Sequence, residues 1–387
     1  MKFLFTTNPL MGHFLPMVPL MRAARTAGHE VIVATGSDLR DAVRRHGFPL
    51  WLVGPRLAEV RAELVASAGT DDLTRIEPLL RHTVLFARPG VLRARQLRPM
   101  VATWRPDVVV HELAEFAGWE AAAVSGALDV VHGWGTPAPY VGELAQRVCR
   151  VAADQLGTPN RAPVVLNTPY LDPCPPRLRA PGAAPFTDPI PIRPEAGVVY
   201  PGERLPEELR HLPYGRTIYL TLGTAFNAPE AWAMAFDAVR DLPVNVIATV
   251  GNDHDPARFG RLPDHIAVAR FVPQALILRH VDAVVFHGGS GTMLGSVAEG
   301  KPMVSLPTGA DQFVNSDQIV RTGAGLTVGP AQRTPESIRA AIVQVLGYPS
   351  YAASAGALQA GVAALPPAEQ VVSELVARVG RSRRRAA

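Results

Sequence analysis

Val284-Val-Phe-His-Gly-Gly-Ser-Gly-Thr292 decides how this chain is read. Val284, Val285 and Phe286 form the short apolar run that a buried parallel strand needs, and His287 to Thr292 then opens a helix running toward Glu299. Strand, glycine turn and helix in that order suit an anion. Glycines at 288, 289 and 291 remove the Cβ atoms that would hold a phosphate away from the backbone. The free N–H groups and the positive end of the helix dipole near Ser290 then face the charge. His287 and the hydroxyls of Ser290 and Thr292 add side-chain donors. Taken alone, the turn is equally compatible with a tight αβ connection carrying an ordinary cap.

The neighbouring segments favour a ligand. Phe271-Val272-Pro273-Gln274 follows the apolar alternation of residues 265–270, placing a ring and a carboxamide where a strand ends. The ring can stack on a base and the amide can read its edge. Downstream, Pro302 to Pro307 reads as another buried strand, with Asp311-Gln312 at the start of the next helix. A carboxylate beside an amide suits sugar hydroxyls, which need both acceptors and donors. Base platform, phosphate cradle and hydroxyl reader each fall at the carboxyl end of an expected strand, where open parallel sheets bind ligands.

With these motifs, Gly300-Lys-Pro302, Pro307 and Asn315, the chain resembles family 1 glycosyltransferases, and Gly12-His-Phe-Leu-Pro16 resembles that family's Gly-His-x-x-Pro turn. The resemblance covers nearly the whole chain and is strongest to bacterial members that glycosylate macrolides, enediynes and other polyketide-type products. It implies an α/β chain of the GT-B fold, with two facing Rossmann-like domains, parallel sheets and a deep cleft between them. It implies donor contacts at Phe271, Val272, Gln274, His287, Gly289, Ser290, Gly291, Thr292, Asp311 and Gln312. The family often has Trp where Phe271 stands; Phe keeps the stacking face without the indole N–H. Thr221-Leu-Gly-Thr224 resembles the family's strand-end turn, which adds Thr224 as a phosphate contact.

Size and composition agree with such an enzyme. At 387 residues two domains are expected. The expected boundaries are 1–200 for an acceptor-binding domain, 201–365 for a nucleotide-sugar domain, and 366–387 for a helix returning to the first domain plus a basic tail. Residues are 48 % hydrophobic, yet no apolar run reaches the ~20 residues of a membrane helix, so no integral membrane association is expected. Lys2 to Thr7 reads as a first strand rather than a signal peptide. Cys149 and Cys174 lack metal-type spacing and point to a reducing cytoplasm. A net charge of +4 invites a nucleic-acid reading, but the arginines are dispersed except in the tail at Arg381 to Arg385, which reads as a solvated, disordered end, so no nucleic-acid partner is expected.

Along the first half, βα alternation runs through residues 2–7, 14–27, 30–35, 49–53, 106–111, 114–125 and 128–131, which means a parallel sheet covered by helices. Residues 57–100 read as mostly helical, and the resemblance makes them the wall of an acceptor pocket. From Tyr170 to Pro206 the proline-rich chain reads as an extended excursion and linker. A second βα series starts at Thr217. By resemblance, the helices from Tyr351 onward cross back over the first domain.

His13, in the loop after the first strand, projects from the carboxyl end of the sheet. An imidazole titrates near neutral pH and can take a hydroxyl proton as its oxygen attacks a sugar carbon. A loop histidine packed on Pro9 or Pro16 is the competing reading. A base keeps its useful tautomer through an acceptor on its other nitrogen, and Glu112 is the candidate, in the place where the family carries an acidic residue. Glu112 as a helix N-terminal carboxylate, with Asp107 or Glu115 as the partner instead, remains open. Trp119, Trp134 and Tyr140 are read either as pocket wall or as core.

The expectation is an inverting glycosyltransferase. His13 and Glu112 would be its catalytic pair, a dTDP- or UDP-sugar its donor and a hydroxyl on a small lipophilic molecule its acceptor. The nucleotide-sugar is a co-substrate, and no cofactor or obligatory metal is expected, because no Asp-x-Asp motif with a metal role appears. The resemblance also admits a homodimer. Alternatives are a GT-B transferase acting on a lipid-linked or cell-wall precursor, and a non-catalytic nucleotide-sugar-binding partner protein.

Overall fold

A computed structural model of the protein describes residues 1–71, 75–136, 141–158, 167–182, 186–223, 229–251 and 254–386. The chain forms two compact units. The first is Met1–Pro173 with Pro181–Arg193 and Pro366–Ala387, and the second is Cys174–Ala180 with Pro194–Leu365.

The first unit holds β1 (Lys2–Thr6), β2 (Glu30–Thr35), β3 (Leu50–Leu52), β4 (Val108–Glu112), β5 (Leu128–His132), β6 (Tyr170–Asp172) and β7 (Pro189–Pro191). They form one sheet in the order β3-β2-β1-β4-β5-β6-β7, parallel at every pairing. Its longer helices are α1 (Val18–Thr26), α2 (Leu57–Ala68), α3 (Arg88–Trp104), α4 (Phe116–Ser125) and α5 (Val141–Leu156). All five residues of β4 are buried, as expected of a central strand covered on both faces. Helix α4 lies so close to the sheet that a Cβ on Gly118 would stand 2.3 Å from the Thr6 hydroxyl and 2.4 Å from His111 Cβ.

The second unit holds β8 (Thr217–Thr221), β9 (Asn245–Thr249), β10 (Ile266–Ala269), β11 (Ala283–Phe286), β12 (Met303–Ser305) and β13 (Gly325–Thr327). Their order is β10-β9-β8-β11-β12-β13, again all parallel. Longer helices are α6 (Pro229–Val239), α7 (Ser290–Ala298), α8 (Gln312–Arg321), α9 (Pro335–Gly347) and α10 (Pro349–Ala363). Alternation along β11 feeds two cores. Val284 and Phe286 pack with Met293, Leu294 and Ile319, while Ala283 and Val285 pack with Trp232, Phe236 and Ile342.

Both orders reverse direction between the first and fourth strands of the unit, at β1/β4 and at β8/β11. This is the topological switch point at which parallel sheets open a crevice beyond their carboxyl ends.

Four expectations need correction. Residues 174–180 and 194–200, placed in a 1–200 domain, pack with the second unit. The stretch from Tyr170 is not only an excursion, because β6 and β7 extend the first sheet. Proline is tolerated in β7 because an edge strand can lack N–H donors, and Tyr170 N–H and Ile192 N–H still complete the ladder on Asp188 and Asp172 carbonyls. Helix α10 stays with the second unit, so only α11 (Ala368–Ala386) joins the first, where it packs on α1. The basic tail is helical through Ala386. Arg381 pairs with Glu374 at 2.9 Å and Arg383 reaches Asp107, contacts that give these arginines a reason to stay in the helix.

Candidate active site

In the first unit the chain leaves β1, turns at Leu10 and enters the short helix Met11–Phe14, which carries His13. Glu112 ends β4, the strand beside β1. The switch point therefore brings the two together, with His13 Nδ1 2.9 Å from Glu112 Oε1. The additional methylene of a glutamate does not prevent contact. A carboxylate only accepts, so Nδ1 carries the proton and Nε2 presents a lone pair. Nε2 makes no hydrogen bond among the described residues.

Glu112 is 1 % exposed, and its oxygens are fully engaged. Oε1 also accepts from Asn8 Nδ2 at 2.6 Å, and Oε2 accepts from Ala114 N at 2.6 Å. Burial on its own would raise its pKa. The electrostatic pull of the facing His13 ring and its hydrogen bond, with the Ala114 N–H and the Asn8 amide, outweigh that and hold it below the usual carboxylate value. Neither proposed substitute partners His13. Asp107 accepts from Lys2 N–H, and Glu115 caps α4 by accepting from Ala117 and Gly118 N–H groups. The helix N-terminal role considered for Glu112 thus belongs to Glu115.

The His13 ring is held by aromatic faces. Trp134 stands 4.4 Å away, and Phe86, on a wider π-type turn at Thr83–Ala87, lies 5.9 Å away nearly parallel. Trp134 is therefore a wall beside the imidazole, whereas Trp119 is buried core with Phe116 and Val131. Tyr140 lies outside the described residues.

In the second unit, α7 begins at Ser290 with Gly289 as its N-cap, directly after β11. The first-turn N–H groups of Ser290, Gly291 and Thr292 have no intrahelical partner and point out of the helix end. The glycines divide by role. Gly288 has φ +86°, and a Cβ there would meet the Gln312 carbonyl at 2.9 Å. A Cβ at Gly289 would stand 2.3 Å from His287 Nε2, and one at Gly223 (φ +73°) 2.6 Å from the same ring. Only at Gly291 would a Cβ meet nothing within 4 Å. Two of the three glycines thus make room for protein, and Gly291 alone faces open space.

His287 sits between Gly223 and Gly289. Burial lowers its pKa to about 4 against the opposing pull of Asp311 and the Thr221 backbone, so the ring is neutral at neutral pH. It can offer an anion one hydrogen bond but not a charge.

Several expected contacts are committed within the protein. Ser290 Oγ donates to Asp311 Oδ2 at 2.5 Å, and Asn315 Nδ2 ties together the Gly288 carbonyl, Ser290 Oγ and Asp311 Oδ2 at 2.9–3.1 Å. The Ser290 hydroxyl thus orients Asp311, and Asp311 keeps Oδ1 free of hydrogen bonds among the described residues. Gln312 is buried, with Oε1 accepting from Thr308 N, Thr308 Oγ1 and Gly309 N at 2.7–3.1 Å. Its carbonyl oxygen closes the loop before α8, and its Nε2 makes no hydrogen bond among the described residues. That loop holds Ala310 at φ +54°, a conformation costly for a non-glycine residue, immediately before Asp311. Gln274 Nε2 donates to the Gly291 carbonyl at 3.1 Å, and its oxygen makes no hydrogen bond among the described residues. Val272 is buried in the core, so only its backbone faces outward. Phe271 is 46 % exposed at the end of β10, as a stacking platform requires. Thr292 is half-buried at the helix start, and Thr224 lies outside the described residues.

Sequence reasoning missed Asn8 and Phe86, and it did not assign Asn315 a role. Asn8 was within reach of it, as a polar residue just past β1 and five before His13. Among the described residues no group of three His, Cys, Asp or Glu side chains could hold a metal ion, and no helix is long and apolar enough to cross a membrane.

Comparison with known proteins decides the family. Residues 22–223 match the N-terminal domain model of erythromycin biosynthesis protein CIII-like proteins, and residues 233–378 match the C-terminal domain model. The chain belongs to this family of bacterial natural-product glycosyltransferases. It is 30 % identical, over 85 % of each chain, to the L-demethylnoviosyl transferase of Streptomyces niveus. To the aclacinomycin-T 2-deoxy-L-fucose transferase of Streptomyces galilaeus it is 29 % identical, over 96 % of this chain and 94 % of the other. The crystal structure of the glycosyltransferase VinC in complex with dTDP aligns with a TM-score of 0.77 at 26 % identity, over 98 % of this chain and all of VinC. The fold is GT-B, and the protein is an enzyme that transfers sugar.

Proposed function

We propose that this glycosyltransferase moves a hexose or deoxyhexose from a dTDP-sugar, or a UDP-sugar, to a hydroxyl of a lipophilic polyketide-type aglycone, inverting the anomeric centre. The observation that carries the reading is the His13–Glu112 pair, with Nδ1 bound to a buried carboxylate and Nε2 left to accept. His13 takes the acceptor proton, Glu112 stabilises the imidazolium formed, and the acceptor oxygen attacks the anomeric carbon in one displacement. The departing diphosphate rests on the α7 N-terminus, with hydrogen bonds from neutral His287 and the Thr292 hydroxyl. We assign Phe271 to the base, the Gln274 oxygen to its edge and Asp311 Oδ1 to sugar hydroxyls.

The relatives' names support a deoxysugar and an antibiotic aglycone, and the VinC complex favours dTDP over UDP. No metal is required in this scheme, because the helix end and its donors offset the leaving charge. The purified chain is offered dTDP- and UDP-sugars with mixed aglycones, and products are detected by mass spectrometry. Conjugates with the inverted anomeric configuration by NMR, formed equally in EDTA, are expected. Retained configuration, or loss of activity in EDTA, rejects the corresponding step.

A further inference from the structure

Behind Glu112 the first unit buries a guanidinium and a second carboxylate that the scheme above does not use. Arg93, on the inward face of α3, and Glu115 both have fully buried side chains, with Arg93 Nε 2.9 Å from Glu115 Oε1. Glu115 Oε2 accepts from the Thr6 hydroxyl at 2.6 Å and from Gly118 N at 2.8 Å. Arg93 Nη2 donates to Asn8 Oδ1, and Asn8 Nδ2 donates at 2.6 Å to Glu112 Oε1, the oxygen that meets His13 Nδ1. A cation on the amide oxygen leaves Asn8 one orientation, with its NH₂ toward Glu112 and the Ala114 carbonyl. The neighbouring chain makes room for this arrangement. Gly54 has φ +86°, and a Cβ there would lie 2.5 Å from Arg93 Cγ.

Charge follows the same line. Arg93 and Glu115 offset each other, which leaves Glu112 with the one uncompensated negative charge in the buried cluster. A proton arriving on His13 completes the neutralisation. Such a chain of hydrogen bonds at low dielectric is strong only if every link is made.

We infer that Asn8 and Arg93 are positioning residues of the reaction. Arg93 fixes the Asn8 amide, Asn8 holds Glu112 as an acceptor, and Glu112 in turn keeps the proton of His13 on Nδ1. The inference rests on the reading of His13 as the base. Asn8→Asp tests it, because it preserves shape and an oxygen for Arg93 but puts a carboxylate where the donor to Glu112 stood. The expected result is a folded protein whose kcat falls about 10²-fold, with both KM values within about threefold of wild type. In a His13→Ala background the same change adds no further loss. Nitrogen-15 spectra of the histidines show one lone-pair Nε2 for His13 in wild type and mixed tautomers in the variant.

Asn8→Asp turnover within about threefold of wild type, or losses that add in the double variant, overturns the inference. If His13→Ala is impaired while Asn8→Asp is not, the inference alone falls. If His13→Ala turns over normally, the base reading falls and takes the inference with it. Should Asn8→Asp not fold, Arg93→Lys keeps the charge beside Glu115 but loses the Nη2 hydrogen bond to Asn8, and is read by the same criteria.

Discussion

Where β1 and β4 part, the first unit lines its crevice with buried side chains; where β8 and β11 part, the second lines it with backbone. The strand order around the two switch points is the same. At the first, Asn8, Glu112, Glu115 and Arg93 are all buried, and one imidazole edge is left to accept. At the second, the groups at the strand end are helix N–H donors and a neutral imidazole packed between Gly223 and Gly289. Topology supplies the place, and the residues at the strand ends supply the chemistry. A proton acceptor needs a precise counter-charge, which only side chains provide. A diphosphate needs close approach by many weak donors, which backbone provides best.

The sharpest way to break this comparison is to exchange the burden. His13→Ala is expected to lower turnover by about 10²–10⁴ while leaving dTDP affinity almost unchanged. His287→Ala should instead weaken dTDP binding measured by calorimetry. If His13→Ala loses nucleotide affinity with turnover intact, the division of labour is wrong.

Acid distinguishes the units less sharply but still measurably. His132, 2 % exposed at the end of β5, has its pKa lowered by burial to about 4, despite its hydrogen bond to the Gly133 carbonyl and the charge of Glu112. His287 is lowered to about 4 as well. The unfolded chain takes up these protons below about pH 6.5 while the folded chain does not until about pH 4, so stability falls as pH drops through that window. For His132 the loss amounts to about 3 kcal/mol, with a smaller share from the more exposed His287. Below the carboxylate range Glu112, held low in the fold, adds to the loss as it protonates. His111, raised because Asp129 and its hydrogen bonds outweigh burial, acts in the opposite sense, and its stabilisation is lost only as pH rises above 6.5. Urea unfolding at pH 7 and pH 5 checks this, with His132→Gln expected to flatten the difference.

The two crevices were not equally legible. Apolar runs such as Val108–Val110 and Val284–Phe286 marked the strands, and the strand-end positions of His13, Glu112 and His287 marked the candidate site, because parallel sheets bind at their carboxyl ends. Which of the arginines at 88, 93, 95 and 98 turns inward was not readable. Helix α3 carries all four, and only packing against α4 and Asn8 singles out Arg93. That one end of each amide at 274 and 312 is engaged by the protein was not readable, because their hydrogen-bond partners lie in segments whose approach is set by tertiary structure. Strands β6 and β7 were hidden by their three-residue length and by prolines.

The glycine turn sharpens the contrast within one motif. Gly289→Ala forces a Cβ to 2.3 Å from His287 Nε2, so the ring or the helix start must move. A loss of about 1–3 kcal/mol in unfolding free energy is expected, together with weaker dTDP binding. An unchanged melting temperature would mean that the ring is not held between the two glycines.

Gly291→Ala is the gentlest change and the cleanest probe of the cradle. Its Cβ would meet no protein atom within 4 Å, and the position lies in the first turn of α7 without a left-handed backbone. Replacing glycine by alanine in a helix stabilises it by about 0.5–1 kcal/mol, so the fold should gain slightly. The added methyl nevertheless occupies the space through which a phosphate oxygen would reach the free N–H groups, and dTDP affinity should fall by about tenfold, near 1.4 kcal/mol. Opposite signs in the melting temperature and in the calorimetric Kd are the signature of a residue kept small for a ligand rather than for packing. If both improve together, the diphosphate does not sit at the start of α7.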